Sequence, residues 1–179
     1  MSQGKISNTL DLTVTLVTVD DAEFIHSLRT DIGQGKYLSK TSSVLNDQIN
    51  WIKKYKSREK NGKEYYFLFS SEEVKLGVIR IYDIKEMEAT SGSWLCVRGV
   101  HFEIAVKMLV FMRDFLFETL DLEREIMDTR LGNRQVIKTH HLFGAKEVGR
   151  NDIDVFHVIN RQDYRKKRKR IMKLIGYGS

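Results

Sequence analysis

The spacing of hydrophobic and polar residues predicts strands and helices in alternation along most of the chain. Residues 12–19 (LTVTLVTV) alternate in polarity and are rich in β-branched side chains, which predicts a first strand. A short helix follows in AEFIHSLR, capped by Asp20 or Asp21. A second helix is predicted from apolar residues that recur at helical spacing: Leu45, Ile49, Ile52 and Tyr55.

The second half of the pattern predicts a hairpin and a further mixture of strands and helices. Two β-rich runs, EYYFLFS and VKLGVIRIYDI, flank Ser-Glu-Glu, which is typical of a hairpin. A helix capped by Asn133 should end at Gly144, in the C′ position that glycine favours. The other predicted elements are a strand at 91–97, a helix at 101–120, a strand at 124–130 and two strands within 145–160.

The resulting order, βααβββαβαββ, predicts an α/β fold of the α+β kind. We expect a mixed, mostly antiparallel sheet of about six to seven strands with helices on both faces. The chain has 179 residues, which suits a single domain. We assign residues 1–160 to that domain and residues 161–179 to a basic C-terminal tail.

The positive charge belongs to this tail. The chain carries a formal net charge of +6 from 30 basic and 24 acidic residues, and residues 161–173 hold eight of the basic residues and one of the acidic ones. Two interpretations remain open: the tail binds an anionic partner, such as nucleic acid or phosphates, or it is a solvated, partly helical end.

Several classes of protein are excluded by composition. A single cysteine, Cys96, rules out an internal disulfide framework and a multi-cysteine zinc site, and no metal site is expected. No run of about 18 uncharged apolar residues exists, so a membrane-spanning helix is not expected. The N-terminus has no continuous apolar core of a signal peptide, and a reduced, cytoplasmic location is the expectation.

Two segments of the second half of the chain, NRQVIKTHHLFGA and GSWLCVRGVHFEIA, form an ordered pair of motifs. In them the chain resembles the GNAT superfamily of acetyl-CoA-dependent N-acetyltransferases. The first keeps the family spacing from Asn133 to Gly144, with Ala145 where the family tends to have phenylalanine, and the second occupies the place of the acetyl-CoA strand and turn. Upstream, SLRTDIGQGKYLSKTS, QINWIKKY and LGVIRIYDI resemble enzymes that acetylate amino groups of nucleotide-linked sugars. They resemble the ribosomal-protein N-terminal acetyltransferases more loosely.

The resemblance implies acetyl-CoA as cosubstrate, held at the strand that ends near Val97. That strand should splay from the next one and leave backbone N–H groups of Leu95, Cys96 and Val97 unpaired for the pantetheine. The family turn usually reads Arg/Gln-x-x-Gly-x-Gly/Ala, whereas this turn retains one glycine. Its N–H groups and the helix N-terminus would still favour a diphosphate. The cofactor candidates are Leu95, Cys96, Val97, Arg98, Gly99, Val100, His101 and Asn133.

The catalytic candidates follow from the same resemblance. His140 lies seven residues after Asn133, where many family members have the tyrosine that protonates the thiolate. A solvated or satisfied polar position on a short helix is the more common role of such a histidine. Asp83 ends a strand near the expected cleft and is the favoured base. Other carboxylates remain open as the base: Glu86, Glu88, Glu103 and Asp128.

The acceptor is expected to be a small amine. Arg80 and Trp94 are the candidates for binding it, although an aromatic residue in such a strand is more often part of the core. The favoured hypothesis is acetyl transfer by direct attack of a primary amine, with a nucleotide-linked amino sugar as acceptor. The alternatives are a protein N-terminus or lysine as acceptor, and a non-catalytic domain that binds a partner through the basic tail. Oligomeric state is not predicted.

Overall fold

The computed structural model describes residues 5–35, 37–38 and 42–177, with the backbone alone for residues 5–9 and 34–35. The chain divides into two compact units. The first comprises Met1–Tyr82 and Ser93–Val100, and the second comprises Asp83–Gly92 and His101–Ser179. One strand, β5, contributes its first residues to the second unit and its last residues to the first.

The first unit combines an antiparallel sheet with helices. Strands β1 to β4 follow one another in space in chain order, and each pair is antiparallel. The end of β5 lies beyond β4, where the Val97 N–H donates to the Leu76 carbonyl at 2.8 Å. The elements are β1 (Lys5–Thr9), β2 (Leu12–Leu16), α1 (Ala22–Thr30), α2 (Ile32–Gly35), α3 (Leu45–Lys60), β3 (Tyr65–Ser71), β4 (Val74–Tyr82) and β5 (Glu88–Cys96).

The core of the first unit forms where α1 and α3 cover one face of its sheet. Alternate residues of β3 and β4 point to that face, among them Leu68 and Val78. They meet the apolar stripes of the two helices, which include Ile25 and Ile52, both fully buried. The predicted helices and hairpin are therefore confirmed, since burial on one face is what their periodicities require.

The second unit has the strand order β5-β6-β8-β7. Pairing between β5 and β6 is parallel, and the pairs β6–β8 and β8–β7 are antiparallel. The remaining elements are α4 (Phe102–Asp114), which continues as a π-helical segment (Phe115–Thr119), β6 (Arg124–Arg130), α5 (Arg134–Leu142), β7 (Lys146–Arg150), β8 (Asp154–Asn160) and α6 (Arg161–Leu174).

Helix α4 supplies most of the core of the second unit. Six consecutive residues, Met108–Arg113, are buried, so this part of the helix is covered all round. A charged residue ends the run: Arg113 is fully buried and pairs with Glu125, also fully buried, through Nε–Oε2 at 2.7 Å and Nη2–Oε1 at 3.1 Å. Ser91 donates to the same carboxylate at 2.5 Å. The buried Glu125 carboxylate thus accepts hydrogen bonds from both Arg113 and Ser91, which offsets the cost of burying its charge.

The predicted fold class is confirmed: the chain has a mixed, mostly antiparallel arrangement of strands together with helices. The described residues contain eight strands where about six to seven were expected. The additional strand is β1, whose KISNT sequence lacks apolar alternation. It joins β2 through Leu10 and Asp11, both with positive φ of 54° and 60°, which suits a tight hairpin turn.

Residues 161–174 of the predicted tail form helix α6, part of the second unit. Tyr164, Ile171 and Ile175 are 0%, 1% and 3% exposed. The tail is helical, as one interpretation expected, but it is not wholly solvated, because an apolar stripe anchors α6. Within the described residues, no helix is both long and apolar enough to cross a membrane.

Candidate functional site

Strand β5 changes its backbone conformation midway. In the second unit its parallel register with β6 covers three pairs, from Glu88↔Arg124 to Thr90↔Ile126. Ser93 follows with φ of +50°, a value that interrupts a strand and is typical of a bulge. Such irregularities often adjoin functional sites because they redirect the backbone. Sequence reasoning did not single out Ser93; the glycine before it, inside a predicted strand, is the signal that could have pointed to a bulge.

The backbone after Ser93 corrects one expectation. The N–H of Val97 was expected to be unpaired, but it donates to the Leu76 carbonyl at 2.8 Å, so the neighbouring strand satisfies it. Successive N–H groups of a strand point to opposite edges. The N–H of Cys96 therefore points away from β4, whereas the N–H of Leu95 points toward β4, as that of Val97 does.

Cys96 is half-buried and its side chain is a thiol, not part of a disulfide. Burial raises the pKa of Cys96 to about 12, against the smaller opposing effect of a hydrogen bond with Trp94. A thiol with so high a pKa carries almost no thiolate at neutral pH and is a poor nucleophile. Trp94 itself is half-buried and forms this hydrogen bond with Cys96.

In the first unit the chain leaves β5 through an exposed turn at Arg98 and Gly99. Gly99 has φ of +83°, and no atom lies within 4 Å of the position a Cβ would take. A left-handed backbone with open space beside it exposes N–H groups to a ligand, which suits a diphosphate. The residues of the turn therefore fit the anionic part of CoA.

Arg98 is already paired. Its Nε donates to Asp31 Oδ2 at 2.9 Å and its Nη2 to Oδ1 at 3.0 Å, while the Gly33 N–H donates to Oδ1 at 2.8 Å. The Arg98 side chain is nevertheless 71% exposed. Asp31 was not among the predicted site residues, because it lies 67 positions from Arg98 in the sequence.

In the second unit, α4 begins at Phe102 with His101 in the N-cap position. No side chain caps this end, and both His101 and Phe102 are exposed. The first N–H groups of a helix have no intrahelical acceptor, and the helix dipole makes this end attractive to anions. Val100, which the sequence analysis also assigned to the cofactor, is half-buried and donates its N–H to the Val97 carbonyl at 3.4 Å in the first unit.

Helix α5 is bounded as the sequence predicts. The Asn133 side chain accepts from the Val136 N–H at 3.4 Å, which caps the helix. Gly144 has φ of +94° and donates to the His141 carbonyl, and Ala145 donates to the His140 carbonyl. These two bonds form a Schellman motif, which requires a left-handed residue at the position of Gly144.

His140 lies on the buried side of α5 and is 6% exposed. Its Nδ1 is 3.4 Å from Nη2 of Arg113. Burial lowers the pKa of His140 well below its ordinary value, and the charge of Arg113 lowers it further. The imidazolium that the predicted proton-donor role invokes is therefore disfavoured at neutral pH.

The adjacent histidine is in a different environment. His141 is exposed, and its Nε2 lies 3.1 Å from Nε2 of His157, which is fully buried on β8. Burial lowers the pKa of His157, and proximity to His141 adds to this effect. No cluster of three metal-ligating side chains occurs among the residues that the structure describes, although the pair brings two ring nitrogens together.

The two remaining candidates are placed differently. Asp83 follows β4, has φ of +51° and is exposed, so it does not continue the core face of the strand as the alternation suggested. Arg80 points to the other face and pairs with Glu64 at 2.8 Å. Its guanidinium stacks over the rings of Tyr82 and Trp51, at 4.0 and 5.1 Å from their centres. Arg80 is thus held by protein groups on several sides.

Comparison with known proteins assigns the chain to a family. The family model for the acetyltransferase (GNAT) domain matches residues 11–146. No curated protein matches the chain.

Solved structures share the fold over nearly the whole chain. Apo FdhC, described as a nucleotide-linked sugar GNAT, is 28% identical with a TM-score of 0.83, over 93% of this chain and 96% of that one. The ribosomal-protein-S5-alanine acetyltransferase from Vibrio fischeri is 14% identical with a TM-score of 0.74, over 92% and 99%. The spermidine N-acetyltransferase from Vibrio cholerae, in complex with CoA and spermine, is 16% identical with a TM-score of 0.74, over 86% and 98%.

The family match at residues 11–146 covers most of the chain. The structural similarity to FdhC extends further, over 93% of this chain and 96% of that one. The site geometry agrees, since the turn at Gly99 and the capped helix α5 are the features on which the sequence resemblance depended. The chain therefore belongs to the GNAT acetyltransferase family and is an N-acetyltransferase that uses acetyl-CoA as its cosubstrate.

Proposed function

We propose that this N-acetyltransferase acts on the primary amine of a nucleotide-linked amino sugar. The observation that carries the proposal is the similarity to FdhC, described as a nucleotide-linked sugar GNAT, at 28% identity over 93% of this chain. The spermidine and ribosomal-protein enzymes share the fold at 16% and 14% identity, which gives no preference for their acceptors.

The reaction is a direct transfer. The neutral amine nitrogen of the acceptor attacks the thioester carbonyl carbon, a C–N bond forms, the C–S bond breaks, and CoA leaves as the thiolate. A base takes the proton that the acceptor ammonium loses before the attack. The nitrogen loses a second proton as the amide forms, the thiolate gains one, and the net proton passes to solvent. Since the amine attacks directly, no protein nucleophile is needed, which agrees with the high pKa of Cys96.

The cosubstrate contacts are proposed along the chain from Leu95 to His101. The open space beside Gly99 lets a diphosphate approach the backbone closely, and Arg98 adds a positive charge that is still largely exposed. The pantetheine is assigned to the edge of β5 that faces away from β4, where the Cys96 N–H points. In this proposal Asn133 caps α5 and also contacts the pantetheine.

Two residues are proposed to assist the proton transfers, Asp83 and His140, and the proposed protonation state of His140 is revised. Asp83 remains the proposed base, because its exposure leaves the carboxylate accessible to a substrate amine or a bridging water. His140 is proposed to stabilise the leaving thiolate as a neutral imidazole that donates a hydrogen bond to the sulfur, while the proton itself comes from solvent. The Arg113 guanidinium carries only N–H groups, so it faces a lone pair on His140 Nδ1 and leaves the proton on Nε2.

For the acceptor, Trp94 and Arg80 remain the proposed contacts. Arg80 is 20% exposed at its side chain and is held by Glu64 and two aromatic rings, so it can offer an N–H group in a fixed direction. A preorganised guanidinium recognises oxygen-rich groups such as a sugar hydroxyl or a phosphate.

The test is a comparison of acceptors with the purified full chain. Release of free CoA thiol from acetyl-CoA would be followed with a nucleotide-linked amino sugar, with spermidine and with a peptide bearing a free N-terminus. We expect kcat/KM for the amino sugar to exceed the others by about 100-fold, since the enzyme discriminates through contacts absent from the smaller amine. The matched control is the same nucleotide sugar with a hydroxyl in place of the amine. Preference for the peptide or for spermidine would overturn the proposal.

A further inference from the structure

Helix α6 presents three faces of different chemistry. Successive residues of an α-helix are about 100° apart, so residues three, four and seven positions apart share a face. One face carries Tyr164, Ile171 and Ile175, which are 0%, 1% and 3% exposed. The Tyr164 hydroxyl also donates to Asp114 at 2.7 Å. This face anchors the helix within the second unit.

The next face carries arginines that are neutralised locally by acids at the end of α4 and in the segment that follows it. Each guanidinium contacts a carboxylate within hydrogen-bond distance, so these cations contribute little to the field outside the molecule. The pairs are Arg161 with Asp121 at 2.7 Å, Arg165 with Glu118 at 2.8 Å and Arg168 with Asp114 at 2.6 Å.

The third face carries cations without acids. Lys166, Lys169, Arg170 and Lys173 are all exposed, and none of them forms an ion pair within residues 5–35, 37–38 and 42–177. Their spacing of i, i+3, i+4 and i+7 places them in one row of about 10 Å along the helix. These four residues are called the α6 basic face.

We propose that the α6 basic face binds the phosphate backbone of nucleic acid. A row of unpaired cations on a rigid helix matches a linear polyanion, because each neutralised phosphate releases condensed counterions. The face contains no aromatic side chain on which a base would stack, so binding should not depend on base sequence.

An anionic membrane surface fits the same charges less well. Helices that lie at the membrane–water interface insert an apolar face among the lipids. In α6 the apolar face is committed to the core through Tyr164, Ile171 and Ile175, and Leu174, 54% exposed, is the only large apolar side chain left outside in Arg161–Leu174. Nucleic acid needs no such insertion.

Four phosphate contacts give a specific salt dependence. The slope of log affinity against log salt concentration should be about −3.6 for duplex DNA, which corresponds to a loss of about 150-fold between 50 and 200 mM salt. The interaction does not involve the acetyl acceptor, so it is independent of the proposed function.

The experiment measures fluorescence anisotropy of a labelled 20-base-pair duplex with the full chain across this salt range. The test variant combines Lys166→Gln, Lys169→Gln, Arg170→Gln and Lys173→Gln. The matched control loses four exposed cations of the first unit instead: Lys53→Gln, Lys54→Gln, Lys60→Gln and Lys63→Gln. We expect the test variant to bind about 30-fold more weakly at 50 mM salt with a slope shallower than about −1, and the control to stay within about 3-fold of the parent.

Three results would overturn the proposal. The parent would fail to bind the duplex at 50 mM salt, both variants would weaken equally, or vesicles containing phosphatidylserine would bind through the same four residues more tightly than the duplex. Circular dichroism and acetyl-CoA binding of both variants verify that they are folded. Loss of DNA binding with acetyl-CoA binding retained separates this proposal from the cosubstrate site.

Discussion

Arg98 and Asp31 meet through two parallel hydrogen bonds, Nε–Oδ2 at 2.9 Å and Nη2–Oδ1 at 3.0 Å. This geometry is the one by which a guanidinium also binds a phosphate. Because Arg98 is 71% exposed at its side chain, water and salt screen the pair, and an incoming phosphate can compete with the carboxylate. In the absence of the cosubstrate, the Asp31 carboxylate thus holds the Arg98 guanidinium at the position where a phosphate would bind it.

The first prediction follows from this competition. Asp31→Asn should lower the Kd of acetyl-CoA by about 3-fold, since Arg98 no longer has to leave a carboxylate, and Arg98→Gln should raise it by about 10-fold. Isothermal titration calorimetry measures both. The control is Glu147→Gln, which frees Arg150 from an exposed pair of the same two-point geometry and adds the same charge. Equal effects of the two carboxylate substitutions would mean that net charge, not Arg98, is responsible.

The second prediction concerns the buried pair of Arg113 and Glu125, both 0% exposed. Glu125→Leu should destabilise the protein by about 3–5 kcal/mol, because it leaves an uncompensated charge in the core. The double variant Arg113→Met with Glu125→Leu should recover much of this loss, since apolar residues of similar volume replace the pair. Urea denaturation gives the free energies of unfolding. A double variant no more stable than Glu125→Leu would contradict this explanation.

Features set by neighbouring residues could be predicted from the sequence. The Asn133 cap, the glycine at 144 and the hairpin at Glu72 and Glu73 depend on a few adjacent positions, and the structure has all three. Each has a local physical cause: a side-chain oxygen that satisfies a helix N–H, a residue without Cβ, and a polar turn between runs rich in aromatic and β-branched residues.

The remainder depends on partners that are distant in the sequence. The bond from Val97 to Leu76 follows from strand register, and Arg98 meets Asp31 across 67 positions. In residues 161–175 eight basic residues outnumber the three buried ones, Tyr164, Ile171 and Ile175. Composition therefore suggested a solvated tail, whereas the structure packs this apolar stripe into the second unit. The lowered pKa of His140 likewise depends on burial by the fold and on the charge of Arg113, 27 positions away.

The third prediction compares two glycines with left-handed backbones. Gly99→Ala and Gly144→Ala should each destabilise the fold by about 1–2 kcal/mol, since φ of +83° and +94° strains a residue with Cβ. At Gly144 the new methyl would also lie 3.4 Å from Lys167 Cγ. Only Gly99→Ala should weaken acetyl-CoA binding, by about 10-fold, because the diphosphate approaches that backbone. Comparable losses of affinity in both variants would show that Gly99 has no special relation to the ligand.

The fourth prediction links His140 and His157 to acid stability. The unfolded chain protonates both near pH 6.5, whereas burial lowers their pKa values in the folded state. The unfolded state therefore binds more protons below about pH 6.5, and stability should fall as the pH drops from there. Urea midpoints at pH 7.5 and 5.0 measure the loss. His140→Gln should make it smaller, and His101→Gln, at an exposed position, should leave it unchanged.

The last prediction concerns His140 in catalysis. A neutral imidazole with its proton on Nε2 donates a hydrogen bond to the leaving thiolate without a titration of its own near pH 6.5. His140→Ala should lower kcat by about 100-fold with little change in the Kd of acetyl-CoA. His140→Gln should retain more activity, because the side-chain amide also offers an N–H group. His141→Ala is the matched control, since that residue is exposed and about 100° away around the helix.

Two results would contradict this role. If kcat of the parent changes with pH between 5.5 and 7.5 and this change disappears when His140 is substituted, His140 acts as an imidazolium. If both alanine variants keep full activity, the thiolate needs no hydrogen bond from His140, which then serves only the packing of α5 against Arg113.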